Sequence, residues 1–136
     1  MRVRWLVVLF FVATVCSISP IDYAAAQHMN VKGVPCNKPS SNAEETQCFY
    51  VACRVADKDL NQFYGQAMKA LDPEDQQRLR DAQRLWVQYR DATCTAEKAL
   101  YGSGTGGPTT YNACMEAFTR QRTKELQTTY SWMLKK

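Results

Sequence analysis

The sequence contains a single histidine, His28, and this scarcity argues against catalytic mechanisms that need an imidazole. Serine and cysteine triads need an imidazole beside the nucleophile, and His28 lies in a segment without helical or strand periodicity. Cysteine pairs of the Cys-x-x-Cys type are also absent, which removes the usual zinc and haem patterns. We therefore expect no metal, no cofactor and no enzymatic activity.

Long hydrophobic runs are equally scarce. The apolar run at residues 5–15 is too short to span a bilayer. It follows two arginines and precedes an alanine-rich stretch, the order typical of a bacterial signal peptide, with cleavage expected after Ala26. Cys16 follows a bulky valine, which suits a lipoprotein cleavage site poorly. We expect residues 1–26 to be removed, leaving a periplasmic or secreted protein with no membrane segment.

The remaining chain is small and only mildly basic. About 110 residues are enough for one domain. Loss of two arginines and one aspartate with the signal peptide lowers the formal charge from +4 to about +3. Positive and negative residues are interspersed rather than grouped, so we do not expect nucleic acid as a partner.

No stretch alternates with a period of two, whereas spacings of three and four recur, so helices are predicted and strands are not. Residues 27–41 read as an extended lead-in. Ser41 or Asn42 caps a first helix that ends at the corner formed by Asp72 and Pro73, where a second helix begins. The third helix is predicted to start near Thr109 or Thr110, after a glycine-rich segment.

These boundaries predict an all-α domain at residues 42–136, a small three-helix up-down-up bundle stapled by disulfides. The second helix dominates the pattern. Its spacing predicts one inward stripe formed by Leu79, Ala82, Trp86, Tyr89, Thr93, Ala96 and Leu100.

Five cysteines remain after signal cleavage: Cys36, Cys48, Cys53, Cys94 and Cys114. In a small exported domain they indicate disulfides. Cys48 and Cys94 are equidistant from the first predicted turn, and Cys94 and Cys114 are equidistant from the second. These three cysteines should therefore lie at the same height in the bundle. Sequence alone leaves the connectivity open. We favour pairs 48–114 and 36–94, which leaves Cys53 unpaired and available for a disulfide-linked dimer.

Two regions are candidates for binding. Gln83, Trp86 and Arg90 line one edge of the second helix, and Asp57 and Asn61 could face Arg90 or Arg122 across the bundle. Such contacts serve either a binding site or, more simply, an inter-helix network. The second region is the glycine loop with its flanking residues, which is either a binding loop or a plain connector; its candidates are Tyr101, Ser103 and Tyr111.

Four cysteines and a helix string that runs Gln-Arg-x-Trp-x-x-Tyr-Arg-Asp-x-x-Cys form a recognisable motif. With this motif the chain resembles, from Cys36 to Leu126, the LprI-like family of small exported lysozyme inhibitors. The matching residues outside the four cysteines are Asp57, Leu60, Asn61, Tyr64, Gln83, Arg84, Trp86, Tyr89, Arg90, Asp91, Arg122 and Leu126. Cys53 and the longer glycine loop depart from the family pattern.

The resemblance implies a protein that binds a host or environmental muramidase, such as a c-type lysozyme, and blocks its activity. Lysozymes of this class are strongly cationic, so a chain of charge +3 gains no long-range attraction toward them. Inhibition would then depend on a local fit, for example a loop that enters the acidic substrate cleft. The alternative is an envelope binding module with another partner and no effect on lysozyme, in which Cys53 forms a mixed disulfide.

Overall fold

A computed structural model describes Cys36 and residues 38–135. It contains the helices α1 (Asn42–Ala70), α2 (Pro73–Ala99) and α3 (Gly106–Tyr130), followed by a short 3₁₀ helix over Ser131–Lys135. The described residues contain no strand, and this confirms the predicted all-α, three-helix architecture. The predicted signal peptide and most of the predicted lead-in lie outside the described residues.

The first two helices begin at the predicted caps. The Ser41 hydroxyl accepts a hydrogen bond from the Glu44 amide at 3.2 Å. The Asp72 carboxylate accepts one from the Asp75 amide at 2.9 Å, and Pro73 occupies the first turn of α2. A proline is tolerated there because that N–H has no partner within the helix. The turn between α1 and α2 is correspondingly tight, and the two helices run antiparallel.

The third helix begins at Gly106, earlier than the predicted start near Thr109 or Thr110. A Cβ at Gly106 would lie 2.7 Å from the Tyr101 ring, so the glycine permits a close approach that other residues would prevent. The glycine content of this segment predicts a break in the helix, but Gly106 allows the first turn of α3 to pack against the Tyr101 ring. The connection between α2 and α3 shrinks to residues 100–105.

The hydrophobic core lies mainly between α1 and α3. Leu126 of α3 packs with Leu60 and Ala67 of α1 in one buried cluster, and Phe49 of α1 packs with Ala113 of α3 in another. In α2 the buried residues are Leu79 and Cys94. The second helix is thus joined to the other two along a narrow seam. Among the described helices, none is long and apolar enough to cross a bilayer.

The predicted inward stripe of α2 was wrong in part. Tyr89 is 61% exposed and Leu100 is 81% exposed, and Ala82 and Ala96 also face solvent. Leu79 and Trp86 still face inward, whereas Gln83, Arg90 and Cys94 take the place of the residues predicted just before them, a rotation of less than one residue position. The rotation follows from polar side chains that turn inward to reach partners on α1 and α3. The inward positions are Leu79, Gln83, Trp86, Arg90 and Cys94.

The predicted disulfide connectivity was also wrong. The structure pairs Cys36 with Cys48, and Cys94 with Cys114. Equal height along the bundle does not select a partner, whereas proximity does: the segment before α1 folds back on Cys48, and Cys94 faces Cys114 across a Cα separation of 5.5 Å. Cys53 carries the free thiol.

The disulfide between α2 and α3 should contribute measurably to stability. It joins residues 20 apart in sequence, and closing such a loop is worth about 3 kcal/mol in the chain-entropy model. Replacing both Cys94 and Cys114 by alanine should lower the free energy of unfolding by roughly that amount in urea titrations followed by circular dichroism. Cys53→Ser is the matched control, with a loss of about 1 kcal/mol or less. Equal stability of the two variants would contradict this role.

Candidate protein-binding site

The three helices meet at Arg90, whose side chain is only 11% exposed. Its guanidinium donates to the Thr119 hydroxyl at 3.1 Å and contacts the Asp57 carboxylate at 3.4 Å. It also donates to Asp91, its neighbour on α2, at 3.0 Å. The guanidinium carbon lies 4.9 Å from the centre of the Trp86 ring, a cation–π distance. One side chain of α2 thus bonds to both other helices.

A second guanidinium lies on the same aromatic ring. Arg122 of α3 stands 5.9 Å from the Trp86 ring centre and donates to the Gln83 side-chain oxygen at 3.0 Å. Its other end pairs with Glu125 at 3.2 Å. Asn61, predicted as a further partner, is exposed. We call the residues that make these inter-helix contacts the polar seam; they are Asp57, Gln83, Trp86, Arg90, Thr119 and Arg122. Every charged group among them is paired, so the seam positions α2 rather than performing chemistry.

The other residues of the family motif divide into core and surface positions. Leu60 and Leu126 are buried, and Tyr64 packs against the same cluster. Arg84 is exposed and pairs with Asp81 on its own helix.

Sequence reasoning missed two buried polar groups on α3. Glu116 is 3% exposed and forms an ion pair with Arg120, and Thr119 receives the bond from Arg90. The spacing of four between Glu116 and Arg120 indicates a helical ion pair, but it does not indicate burial. Among the described residues, no cluster of three or more potential ligands could hold a metal ion.

Backbone hydrogen bonds support the largely exposed loop at residues 100–105. The Gly102 amide donates to the Ala99 carbonyl at 3.1 Å, and the Gly104 amide donates to the Tyr101 carbonyl at 2.8 Å. Gly102 has a φ of 53°, a left-handed conformation that favours glycine. Ser103 is exposed at the tip. The loop is therefore ordered before any partner arrives.

The other two loop candidates belong to the base of the loop. Tyr101 is partly buried against the first turn of α3. Tyr111 lies within α3, packs against the Cys94–Cys114 disulfide and carries the Lys98 ammonium 5.8 Å above its ring. Their rings stabilise the base, and Ser103 remains as the accessible member of the predicted set.

The Cys53 thiol is partly buried and packs against the Cys94–Cys114 disulfide. Burial raises its pKa, and the nearby Asp57 carboxylate raises it further, against a weaker opposing effect of Arg90. A thiol kept protonated is a poor nucleophile. The structure therefore gives no support to the predicted dimer through Cys53.

One exposed side of α2 is apolar. We call it the outer face of α2, and it consists of Ala82, Leu85, Tyr89, Ala92, Ala96 and Leu100. Leu85 is 63% exposed. The Tyr89 ring lies edge-on against Phe118 of α3, with 5.7 Å between ring centres. This surface is exposed because Gln83 and Arg90 turn toward the other helices in its place.

Removing the central guanidinium should destabilise the bundle. Arg90→Ala deletes a hydrogen bond to Thr119 and leaves Asp57 without its cation, so we expect a loss of about 2–3 kcal/mol in unfolding free energy from urea titration. Arg84→Ala on the same helix is the control, because its exposed pair with Asp81 is worth under about 1 kcal/mol. Equal losses in the two variants would refute a structural role for the seam.

The Cys53 thiol should react slowly with iodoacetamide near pH 7, and its rate should rise at a higher pH than for a free thiol, whose pKa is about 8.5. Because the folded pKa is raised, folded protein binds the proton more tightly than unfolded protein does. The free energy of unfolding that this proton contributes is fully present below the pKa of the Cys53 thiol in the unfolded chain. It is lost as the pH rises through the higher pKa of the thiol in the folded protein. Cys53→Ser should lack that alkaline loss in urea titrations, and an alkylation rate matching the urea-unfolded chain would contradict the burial effect.

Comparison with known proteins places this architecture in a family. The model of a family described as lysozyme inhibitor LprI matches residues 36–126. A protein of Rhizobium meliloti (strain 1021), described as uncharacterized, is 29% identical over 105 residues, which cover 68% of this chain and 76% of the relative. No solved structure matches the chain. Since the family match spans more than half of the sequence and includes both disulfides and the Arg90 seam, the chain belongs to the LprI lysozyme inhibitor family.

Proposed function

We propose that this protein binds a muramidase outside the cytoplasm and blocks the cleft in which that enzyme holds its glycan substrate. The observation that carries the proposal is membership of the lysozyme inhibitor family over residues 36–126. A protein partner fits a helical domain whose polar seam is structural and whose accessible features are a loop and an apolar helix face. The proposed activity is inhibition by binding, with no bond made or broken by the chain.

The loop at residues 100–105 is the segment that we propose enters the cleft. Its sequence, Leu-Tyr-Gly-Ser-Gly-Thr, contains no charged residue, and glycine keeps its tip narrow. Glycoside hydrolases of this type carry two carboxyl groups beside the scissile bond. A loop without acidic side chains meets no like-charge repulsion there. The cation nearest in sequence, Lys98, carries the charge that an acidic cleft attracts.

The loop is also held at its base, which lowers the entropy that binding must overcome. The Cys94–Cys114 disulfide joins the two helices that the loop connects. Backbone hydrogen bonds at Gly102 and Gly104 fix the conformation between them. A pre-ordered segment loses less freedom on binding than a flexible one, and this gain applies whichever lysozyme is the target.

Export is part of the proposal. Disulfides persist in oxidising compartments, and the two observed here suit a periplasmic or secreted domain. We propose that a signal peptide at residues 1–26 is cleaved after Ala26 and that the mature chain meets lysozyme in the envelope or outside the cell. A scaffold role that depends on a mixed disulfide at Cys53 has less support, because that thiol is partly buried and its pKa is raised.

The mature oxidised protein should slow lysis of bacterial cell walls by lysozyme in a turbidity assay. Ser103→Glu places a carboxylate at the loop tip, where repulsion from an acidic cleft should weaken inhibition about 10-fold or more. Ser103→Lys should retain inhibition or strengthen it. The opposite effects of the two charges would identify the loop as the segment inside the cleft.

The control for added negative charge is Gln62→Glu, an exposed position on α1 remote in sequence from the loop. It should leave inhibition unchanged within about twofold, since exposed charges outside the contact are screened. If the unmodified protein fails to slow c-type, g-type and i-type lysozymes at several-fold molar excess, the inhibitor function is refuted. Equal inhibition by both Ser103 variants would refute the placement of the loop.

A further inference from the structure

The loop is too small to account for binding by itself. A stable protein complex buries about 800 Å² on each partner, spread over roughly 20–30 residues. Residues 100–105 supply a fraction of that. A partner held by the loop must therefore contact a second surface that is continuous with it. The outer face of α2 meets this condition, because Leu100 is both its last residue and the first residue of the loop.

The outer face of α2 has the composition of an interface core. From Ala82 to Leu100 it covers about 27 Å of helix length, and every member is uncharged and exposed. A contiguous exposed apolar surface on a soluble domain marks an interaction site more often than chance. Alanines at 92 and 96 lie between larger side chains and allow a partner surface to approach the helix backbone.

Tyr89 provides an anchor in the middle of this face. Its ring is 61% exposed, yet its edge-on contact with Phe118 restricts its orientation. Tyrosine is enriched among the residues that dominate binding energy, and a restricted ring loses little entropy on burial. Leu85 lies one helical turn away and completes the apolar centre.

The side chains of the outer face carry no charge. The mature chain is mildly positive, so a cationic muramidase would be repelled by an average part of its surface. Two arginines near the face are paired on their own helix, Arg84 with Asp81 at 3.0 Å and Arg78 with Asp75 at 2.6 Å, whereas Arg80 donates to the neutral side chain of Gln77 at 3.1 Å. A positively charged enzyme that contacts the face itself meets uncharged side chains, and the exposed cations Arg80 and Lys98 lie on the same helix outside the face.

We infer that the outer face of α2 is the docking surface for the muramidase, with the loop at its end reaching into the cleft. This inference rests on the proposed function. It adds that the outer face of α2 provides most of the area in contact with the muramidase. Leu85 and Tyr89 are the contact residues expected to matter most, and Leu100 joins the helix contact to the loop contact.

The double variant Leu85→Ala/Tyr89→Ala tests the inference directly. The inhibition constant against lysozyme should rise about 10-fold or more, because two central apolar contacts are lost. The matched control is Tyr50→Ala/Val55→Ala on α1, which removes side chains that are 50% and 47% exposed. That control should retain inhibition within about twofold. Circular dichroism and urea titration of each variant confirm that both remain folded.

Each outcome separates this inference from the proposed function. If the unmodified protein neither binds nor inhibits lysozyme, the proposed function fails and the docking surface fails with it. If it inhibits and the Leu85/Tyr89 variant inhibits equally well, the docking surface alone is refuted. If sedimentation shows a dimer that the same variant converts to a monomer, the face is a contact between two copies, and the inference is overturned in favour of self-association.

Discussion

The buried guanidinium of Arg90 is the constraint on which the arrangement of the helices depends. A charge with 11% of its side chain exposed must be paired, and its partners, Asp57 and Thr119, lie on the two other helices. Both contacts can form only when α2 has one rotation about its own axis and one position along that axis. The Trp86 ring, which lies at a cation–π distance from both Arg90 and Arg122, reinforces the same position.

This constraint explains why an amphipathic helix presents its apolar side to solvent. The hydrophobic core is formed mainly by α1 and α3, whose leucine, alanine and phenylalanine side chains fill the interior. The second helix contributes Leu79 and Cys94 and otherwise turns its polar edge inward. Leu85, Tyr89 and Leu100 are left outside as a consequence. In a stable monomer such exposure serves no structural purpose, so it directs attention to a partner.

The Cys94–Cys114 disulfide connects this seam to the loop. It lies between Arg90 and the loop along α2, next to Cys53, Tyr111 and Met115. The seam sets the position of α2, the disulfide fixes α2 to α3, and the loop extends from the pair with its backbone hydrogen-bonded. Toward the cationic enzyme that we propose as the partner of this mildly basic protein, such preorganisation would replace the electrostatic attraction that is missing.

The sequence by itself determined the features that depend on neighbours within one helical turn. Ser41 and Asp72 cap amides three residues away, and the spacing of apolar residues shows where helices run, so the number of helices, two of their starts and the fold class were predictable. The motif string also indicated the family. The tertiary structure alone decided which side of α2 faces inward, which cysteines pair, and that Gly106 begins a helix rather than a loop. Each of these depends on a contact that the local pattern does not encode: Arg90 with residues about 30 positions away, Cys94 with α3, and the first turn of α3 with the Tyr101 ring.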